Sequence, residues 1–510
     1  MSIRSAAWTA AWTALSTLML ASCAVGPDFK RPEPPAIERY TDSTLPDATA
    51  SSPFAHGDAQ RFSASAKLQR QWWNLFKSEP LDRLIEQALR DSPTVASAQA
   101  TLRQAQQNLA AEQGLTWPNV SGQATVEREQ FSAASLGQPG TSIFTLYNAT
   151  VNVSYTLDVF GAIRRQLEGL RAQVDNANLQ VQATYLTLTG NLATTAIREA
   201  SLRAQVRATE EIEKLQQDEL TIVERRFNLG AVTKTDVLAQ RTALAQTRAS
   251  LPPLQRQLSQ LRHQLALYAG RTPESDGLPS FELDGLELPL QLPVSVPSDL
   301  VRQRPDILSA EALLHAASAQ VGVATANLYP QFTLTGNIGT EAVGASQLFK
   351  SNASAWGLAA GVLTPLFSGG QLQAERRAAV AAYDAAAANY RETVLTAFAN
   401  VADSLRALQT DALALQAQVE AQHQAQETFN MASYQFNVGA VSYLTLLNAQ
   451  QQFQQTRIAV VQAQADRFAD TVALFQALGG GWWNDAALAP NLSPASGSAT
   501  IRFPISFLEH

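Results

Sequence analysis

The sequence predicts an α+β membrane protein in which a tandem-duplicated protomer supplies four β-strands and two long coiled-coil α-hairpins. The first observation behind this is the duplication. Ser92-Pro93 with Trp117-Pro118 returns as Arg304-Pro305 with Tyr329-Pro330, an offset of 212 (305 − 93). Arg226-Phe227-Asn228-Leu229-Gly230-Ala231-Val232-Thr233 returns as Gln435-Phe436-Asn437-Val438-Gly439-Ala440-Val441-Ser442, an offset of 209 (435 − 226). A unit of about 210 residues is far longer than a solenoid repeat, so each copy builds one half of a pseudo-symmetric object. The second observation is two-residue alternation in two segments of each copy. The third is a long proline-free stretch in each copy with helical periodicity.

Taken in order, the chain opens with a single charge, Arg4, an apolar run from Ala6 to Leu20, and Leu20-Ala21-Ser22-Cys23. That order reads as a secretory leader over residues 1–22; an N-terminal membrane helix is the competing reading. Residues 23–66 are rich in Pro, Ser, Ala and Asp, lack periodicity, and read as an extended arm. Trp72 and Trp73 open the packed part as packing anchors, and Leu81, Leu84, Ile85, Ala88 and Leu89 follow helical spacing. The first copy spans 67–285, a linker 286–298, the second copy 299–482 and a tail 483–510.

Each copy runs one programme. Pro93 and Pro305 stand where proline suits the first turn of a helix of about 20 residues. Strands follow at about 119–131 and 143–157, with Val151 and Val153 on one face and Asn152 on the other. Their counterparts lie at about 331–341 and 354–364, where Phe332, Leu334 and Ile338 oppose Thr333, Thr335 and Asn337. Loops rich in Gly, Pro and Ser join the pairs at 132–142 and 342–355. No proline then occurs between Pro139 and Pro252 or between Pro365 and Pro490. Val394, Phe398, Val401, Leu405, Leu408, Ala412 and Leu415 alternate steps of four and three, a sustained heptad. As a helix, Gly161 to Phe227 would span roughly 100 Å.

The helices end near Gly230 and Gly439, where glycine suits a left-handed cap. They restart at once: Thr233-Lys234-Thr235-Asp236 has a capping-box pattern, and Ser442 to Thr445 keeps the cap without the acid. Pro252-Pro253 is expected to break or bend the first returning helix. Arg164-Arg165 and Arg376-Arg377, at the entry to the long helices, read as solvated faces, with lipid headgroups as the alternative partners.

Composition narrows the function. A net charge of −7 argues against nucleic acid as a partner. One cysteine excludes an internal disulfide and a multi-cysteine metal site, and the five histidines make no close pair. The sequence holds no His-Glu-x-x-His, Gly-x-Ser-x-Gly or phosphate loop. No catalytic residue, metal or cofactor is therefore expected, and the chain does not read as an enzyme. A closed barrel in lipid needs at least about eight strands, and an open sheet would bare its edges to hydrocarbon. Four strands must be completed by other chains, which gives a homo-oligomeric tube: a β-barrel in the outer membrane continuous with a helical barrel in the periplasm.

Several stretches carry a family resemblance. They are Cys23-Ala24-Val25-Gly26-Pro27-Asp28-Phe29, Trp72-Trp73 through Leu89, Val296 through Ile307, Tyr329-Pro330, Leu366-Phe367-Ser368-Gly369-Gly370 and Leu478-Gly479-Gly480-Gly481-Trp482. Together the chain resembles the TolC-like outer-membrane efflux factors, in the lipoprotein branch similar to OprM and NodT. The resemblance implies a homotrimer with a 12-stranded β-barrel and a 12-helix periplasmic α-barrel. It also implies a passive exit duct for small molecules such as drugs, joined through a periplasmic adaptor to an inner-membrane pump. A conduit for type I protein secretion and a coiled-coil periplasmic adaptor are the alternatives, although an adaptor usually presents one hairpin. Leu-Ala-Ser-Cys resembles a bacterial lipobox, which implies that Cys23 is acylated and sits in lipid; Ala24 after it favours the outer membrane.

The same resemblance assigns the sites. The apices, Phe227, Asn228, Gly230, Thr233 and Asp236 in the first copy and Phe436, Asn437, Gly439 and Ser442 in the second, match adaptor-docking points; as mere helix caps they would need no partner. Leu444 and Asn448 stand at i and i+4 just past the second apex and share a face. They resemble the periplasmic gate of related channels, which often carry Asp where Asn448 stands. Ordinary core for Leu444 and an ordinary solvated Asn448 are the bland readings.

Overall fold

A computed structural model describes residues 24–37, 39–42, 44–63, 66–132, 139–274 and 277–484. The expected leader, the acylated Cys23 and nearly all of the tail lie outside the described residues.

The chain begins with an arm that contains β1 (Arg61–Ser63), then passes through α1 (Glu79–Asp91) and α2 (Pro93–Gln113) into the hairpin β2 (Asn119–Ser132) and β3 (Thr141–Leu157). The long helix α3 (Ala162–Asn228) runs out to an apex, and α4 (Lys234–Tyr268) returns. After β4 (Gln291–Pro293) and the short α5 (Pro297–Gln303), the second copy supplies α6 (Pro305–Ala326), β5 (Gln331–Ala342), β6 (Ser354–Leu363), α7 (Gln371–Asn437) and α8 (Tyr443–Ala477). Both outbound helices have 67 residues and both returning helices 35. An outbound helix is therefore about 100 Å long.

These lengths explain the two offsets. The value 209 holds from Gly161/Gly370 (370 − 161) to Tyr268/Ala477 (477 − 268), whereas 212 holds up to Pro118/Pro330 (330 − 118). The three missing residues fall between the start of the hairpin and the foot of the long helix. Loops tolerate such a change; a change of three residues in one arm of a coiled coil would shift its apolar seam.

Local chemistry sets the boundaries. Pro93 and Pro305 occupy the first turns of α2 and α6, where no partner is lost. Gly161 and Gly370 adopt φ of 81° and 84° and turn the chain from strand into helix. Asp158 then accepts hydrogen bonds from the backbone N–H groups of Ile163 (3.0 Å) and Arg164 (2.9 Å), satisfying two of the donors that a helix start leaves free. The expected break at Pro252-Pro253 does not occur: α4 runs through both prolines. They and the preceding turn from Arg248 to Ser250 are exposed, so the carbonyls that lose an N–H partner can turn to water.

The core lies around the middle of the helices. Trp72, Trp73 and Phe76 are buried against Phe468 and Phe475 of α8, with ring centroids of 5.6 Å for Trp72–Phe475 and 6.1 Å for Phe76–Phe468. Leu81 and Ile85 of α1 and Leu192 and Ile197 of α3 join the same cluster. Each such side chain contributes about 1.5–3 kcal/mol on burial. The heptad of α7 turns inward as its spacing requires, with Val401, Leu405, Leu408, Ala412 and Leu415 fully buried. β1 pairs in parallel with β4, Phe62 opposite Leu292, and so ties the arm to the linker.

Arg165 corrects the reading of the entry arginines as solvated. It is buried, and it grips the arm: its guanidinium donates to Asp28 Oδ1 (2.6 Å), to the Val25 carbonyl (3.3 Å) and to Glu168 Oε2 (2.8 Å). Removing a guanidinium from water is favourable only with such complete pairing. Arg164 is exposed and pairs with Asp158 at 3.2 Å, and Arg376 and Arg377 are exposed.

Candidate functional site: the sheet faces and the helical apices

The four long strands form one antiparallel sheet in the order β2-β3-β5-β6. Directly opposed residues share a face, so the register fixes both surfaces. Val153 lies between Val120 and Gly336, and Gly336 opposes Leu358. Val151 lies between Gly122 and Ile338, which opposes Trp356; Tyr155 opposes Leu334, which opposes Ala360. Over these rows the face is apolar, with Arg128 and Gln130 on it only toward the far end of the hairpin, yet Val120, Ile338, Trp356 and Leu358 are all more than 60% exposed. An apolar surface of this extent needs a non-aqueous neighbour. The reverse face carries Asn152 between Ser121 and Asn337, and Thr150 between Gln123 and Gly339, a surface suited to water. Val151, Val153 and Leu334 thus share the apolar face and Asn152 the polar one.

The beginning of the arm is fixed at the foot of this sheet. The Val25 N–H donates to the Phe160 carbonyl at 3.1 Å, and Phe160 stacks on Tyr329 at 4.7 Å, just below β3 and β5. Gly26 (φ +95°) touches α6: a Cβ there would stand 2.5 Å from Gly322 Cα. Phe29 stacks on His315 of α6 at 4.3 Å. This latch is invisible in the sequence, because no spacing rule links Asp28 to Arg165.

At the far end the two apices touch each other. Gly230 and Gly439 adopt φ of 75° and 79°, the left-handed conformation their helix caps require. Thr233 closes a reciprocal capping box with Asp236, and the Ser442 hydroxyl accepts from the Thr445 N–H. Arg226 donates to Asn437 Oδ1 at 3.0 Å and lies over the Phe436 ring at 5.0 Å, and Phe436 meets Tyr443 edge-on at 5.3 Å. Lys234 lies over the Phe227 ring at 5.4 Å, and Asn228 is exposed. The first apex, from Arg226 to Asp236, carries two cations against one carboxylate (2 − 1 = +1), whereas the second, from Gln435 to Thr445, carries no charge.

Leu444 is 57% exposed in the single chain, so it is not part of the protomer's own core. It shares an open face with Asn448, while Tyr443, Leu446, Leu447 and Gln450 are buried behind it. Behind that face sits a polar network that the sequence did not disclose. The Tyr443 hydroxyl donates to Gln240 Oε1 (2.5 Å), and Gln240 Nε2 donates to the Gln216 carbonyl (2.8 Å). Burial pushes the Tyr443 phenol well above its usual range, with Glu219 and Asp236 adding to the effect. Farther toward the sheet, Asp411, Asp466 and Asp470 line a polar groove of about 720 Å³. Burial, then Asp470 and Asp466, push the Asp411 carboxyl up to about 8.

The geometry has counterparts among known proteins. Over 432 residues the chain is 32% identical to the pyoverdine export outer membrane protein OpmQ of Pseudomonas putida, covering 83% of this chain and 90% of that one. It is 28% identical over 478 residues to the probable efflux pump outer membrane protein TtgC of the same species, covering 93% and 96%. The structure of the outer-membrane channel OprN superimposes with a TM-score of 0.80 at 28% identity, over 90% of this chain and all of that one. Residues 84–271 and 296–480, one stretch in each copy, match the family described as outer membrane efflux protein, and the chain belongs to that family.

Proposed function

We propose that three copies of this chain close into a passive exit duct across the outer membrane, which receives small molecules from an inner-membrane pump through a periplasmic adaptor. The observation that carries this is the agreement of edges at every level. The sheet ends in β2 on one side and β6 on the other. Next to it the helices neighbour one another in the order α2-α3-α6-α7, and farther out in the order α4-α3-α8-α7. One edge is therefore always β2, α2 or α4, and the other always β6 or α7. The outer helices are thinly covered: α2 buries only Val95, and the first twenty residues of α7 bury only Ala379 and Tyr390. Head-to-tail contact between copies pairs these edges and closes a ring. Three copies give twelve strands (3 × 4) and twelve helices in cross-section, with the apolar face toward lipid and the polar face toward the lumen. Native mass spectrometry of detergent-extracted protein should give a trimer that conducts ions in planar bilayers. A monomer without conductance would overturn the assembly.

In this reading Cys23 carries the acyl chains that anchor the arm in outer-membrane lipid. The Arg165 latch supports it, because it fixes Val25 at the foot of the sheet, where an anchor can reach the bilayer. A radioactive fatty acid fed to cells should label the wild type and not Cys23→Ser; equal label in both would remove the anchor. The serine variant should retain some trimer, since the barrel also holds it in the membrane.

The apices dock the adaptor, and Leu444 with Asn448 forms the periplasmic gate. Three leucines in a ring exclude water, and three asparagines add no charge. Leu444→Ser should raise single-channel conductance, and Asn448→Asp should increase preference for cations. Unchanged conductance and ion preference in both variants would place the gate elsewhere.

A further inference from the structure

The apolar face of the sheet is not uniform. A concavity of about 780 Å³ opens in it, lined by Val151, Val153, Tyr155, Leu334, Ile338 and Leu358 among others. Its floor is Gly336, the central position of a three-by-three block of facing residues: Val151, Ile338 and Trp356 on one side, Tyr155, Leu334 and Ala360 on the other, Val153 and Leu358 flanking. A Cβ on Gly336 would stand 3.2 Å from Leu358 Cδ2, so the missing side chain is what keeps the floor open. The walls are almost wholly apolar, which suits a hydrocarbon chain with no headgroup.

We infer that this concavity seats an acyl chain carried by the chain's own Cys23; the inference rests on the lipidation proposed above. Two placements favour this occupant over any passing lipid. The arm is held by the Val25 N–H on the Phe160 carbonyl at 3.1 Å, and a Cβ on Gly161 would meet Ala24 Cβ at 2.7 Å. Phe160 follows β3 and stacks on Tyr329, which precedes β5, so the arm starts beneath the same two strands that floor the concavity. Tyr155 is five residues above Phe160 (160 − 155) and Val153 seven, about 16–23 Å of strand before tilt. A fatty acyl chain spans one leaflet, about half of the roughly 30 Å hydrocarbon core, which brings it from the foot of the sheet to this level. On β3 the concavity lies in the half nearest the long helices and reaches from there across the middle of β5 and β6, so a chain tethered at that rim enters it from below.

The test is photocrosslinking in living cells with p-benzoylphenylalanine at Leu358, followed by mass spectrometry of the trimer. Ile143, on the same face at the opposite end of the sheet, serves as the control position. The expected product at Leu358 is an adduct with the acylated N-terminal peptide, absent at Ile143 and lost when Gly336→Leu fills the floor. Adducts with free phospholipid alone, or an equal yield of the N-terminal adduct at both positions, would overturn the seat. The intact mass of the same sample separates the two levels. An acylated protein without the adduct sinks only this inference, and a protein without acyl mass sinks the lipidation beneath it.

Discussion

Arginine at Val151 should abolish heat-resistant oligomer in the membrane fraction, whereas arginine at Asn152 should leave most of it. The two positions are adjacent in β3 and differ only in the face they occupy. Val151 is flanked by Gly122 and Ile338 on the apolar surface, and Asn152 by Ser121 and Asn337 on the polar one. A cationic side chain facing lipid near the midplane costs about 2–4 kcal/mol. In a trimer the penalty is incurred three times around one barrel. At Asn152 the guanidinium reaches lumen water and keeps its hydration. The ratio of folded trimer to monomer on unheated gels measures the difference; equal losses at both positions would show that the faces are reversed or that the sheet does not meet lipid.

Gly439→Val should eliminate drug resistance in an efflux-deficient strain while trimer yield stays near wild type. Among the described residues no atom lies within 4 Å of the point where a Cβ would stand, so space is not the constraint; the backbone φ of 79° is. A β-branched residue held in the left-handed region costs about 1–2 kcal/mol, and the apex relieves that strain by changing shape. The change stays local, because Leu220, Val223, Val237, Tyr443 and Leu446 pack the two hairpins together just behind the apex. In the proposed reading, what is lost is the surface offered to the adaptor. Wild-type resistance together with wild-type cross-linking to the adaptor would show that the apex has no part in docking.

The elements legible in the sequence are those whose signal is local. Alternation in residues 143–157 and the heptad from Val394 to Leu415 each arise from one stretch of chain, and each describes the buried or lipid-facing side directly. The glycine caps are legible for the same reason, since their conformation is set within a few residues. What the sequence does not show is pairing at a distance. Arg165 finds Asp28 across 137 positions, and Tyr443 finds Gln240 across 203; each residue alone resembles an ordinary surface or core residue. At Pro252-Pro253 it is the expected break that fails, in the opposite direction. A rule about hydrogen bonds inside a helix ignores the water available to exposed carbonyls and the tertiary packing of Leu251 that holds the helix in place.

The equal lengths of the two hairpins have a mechanical consequence. Arms of 67 and 35 residues in each copy bring both apices to the same height, so a trimer ends in a level crown of six tips. Height does not distinguish the tips, but charge does: the first supplies Lys234 and Arg226, the latter reaching across to Asn437, whereas the second supplies no charge of its own. A partner seated on that crown would meet two electrostatic environments in turn. Salt should therefore weaken alternate contacts around the ring and leave those between them in place.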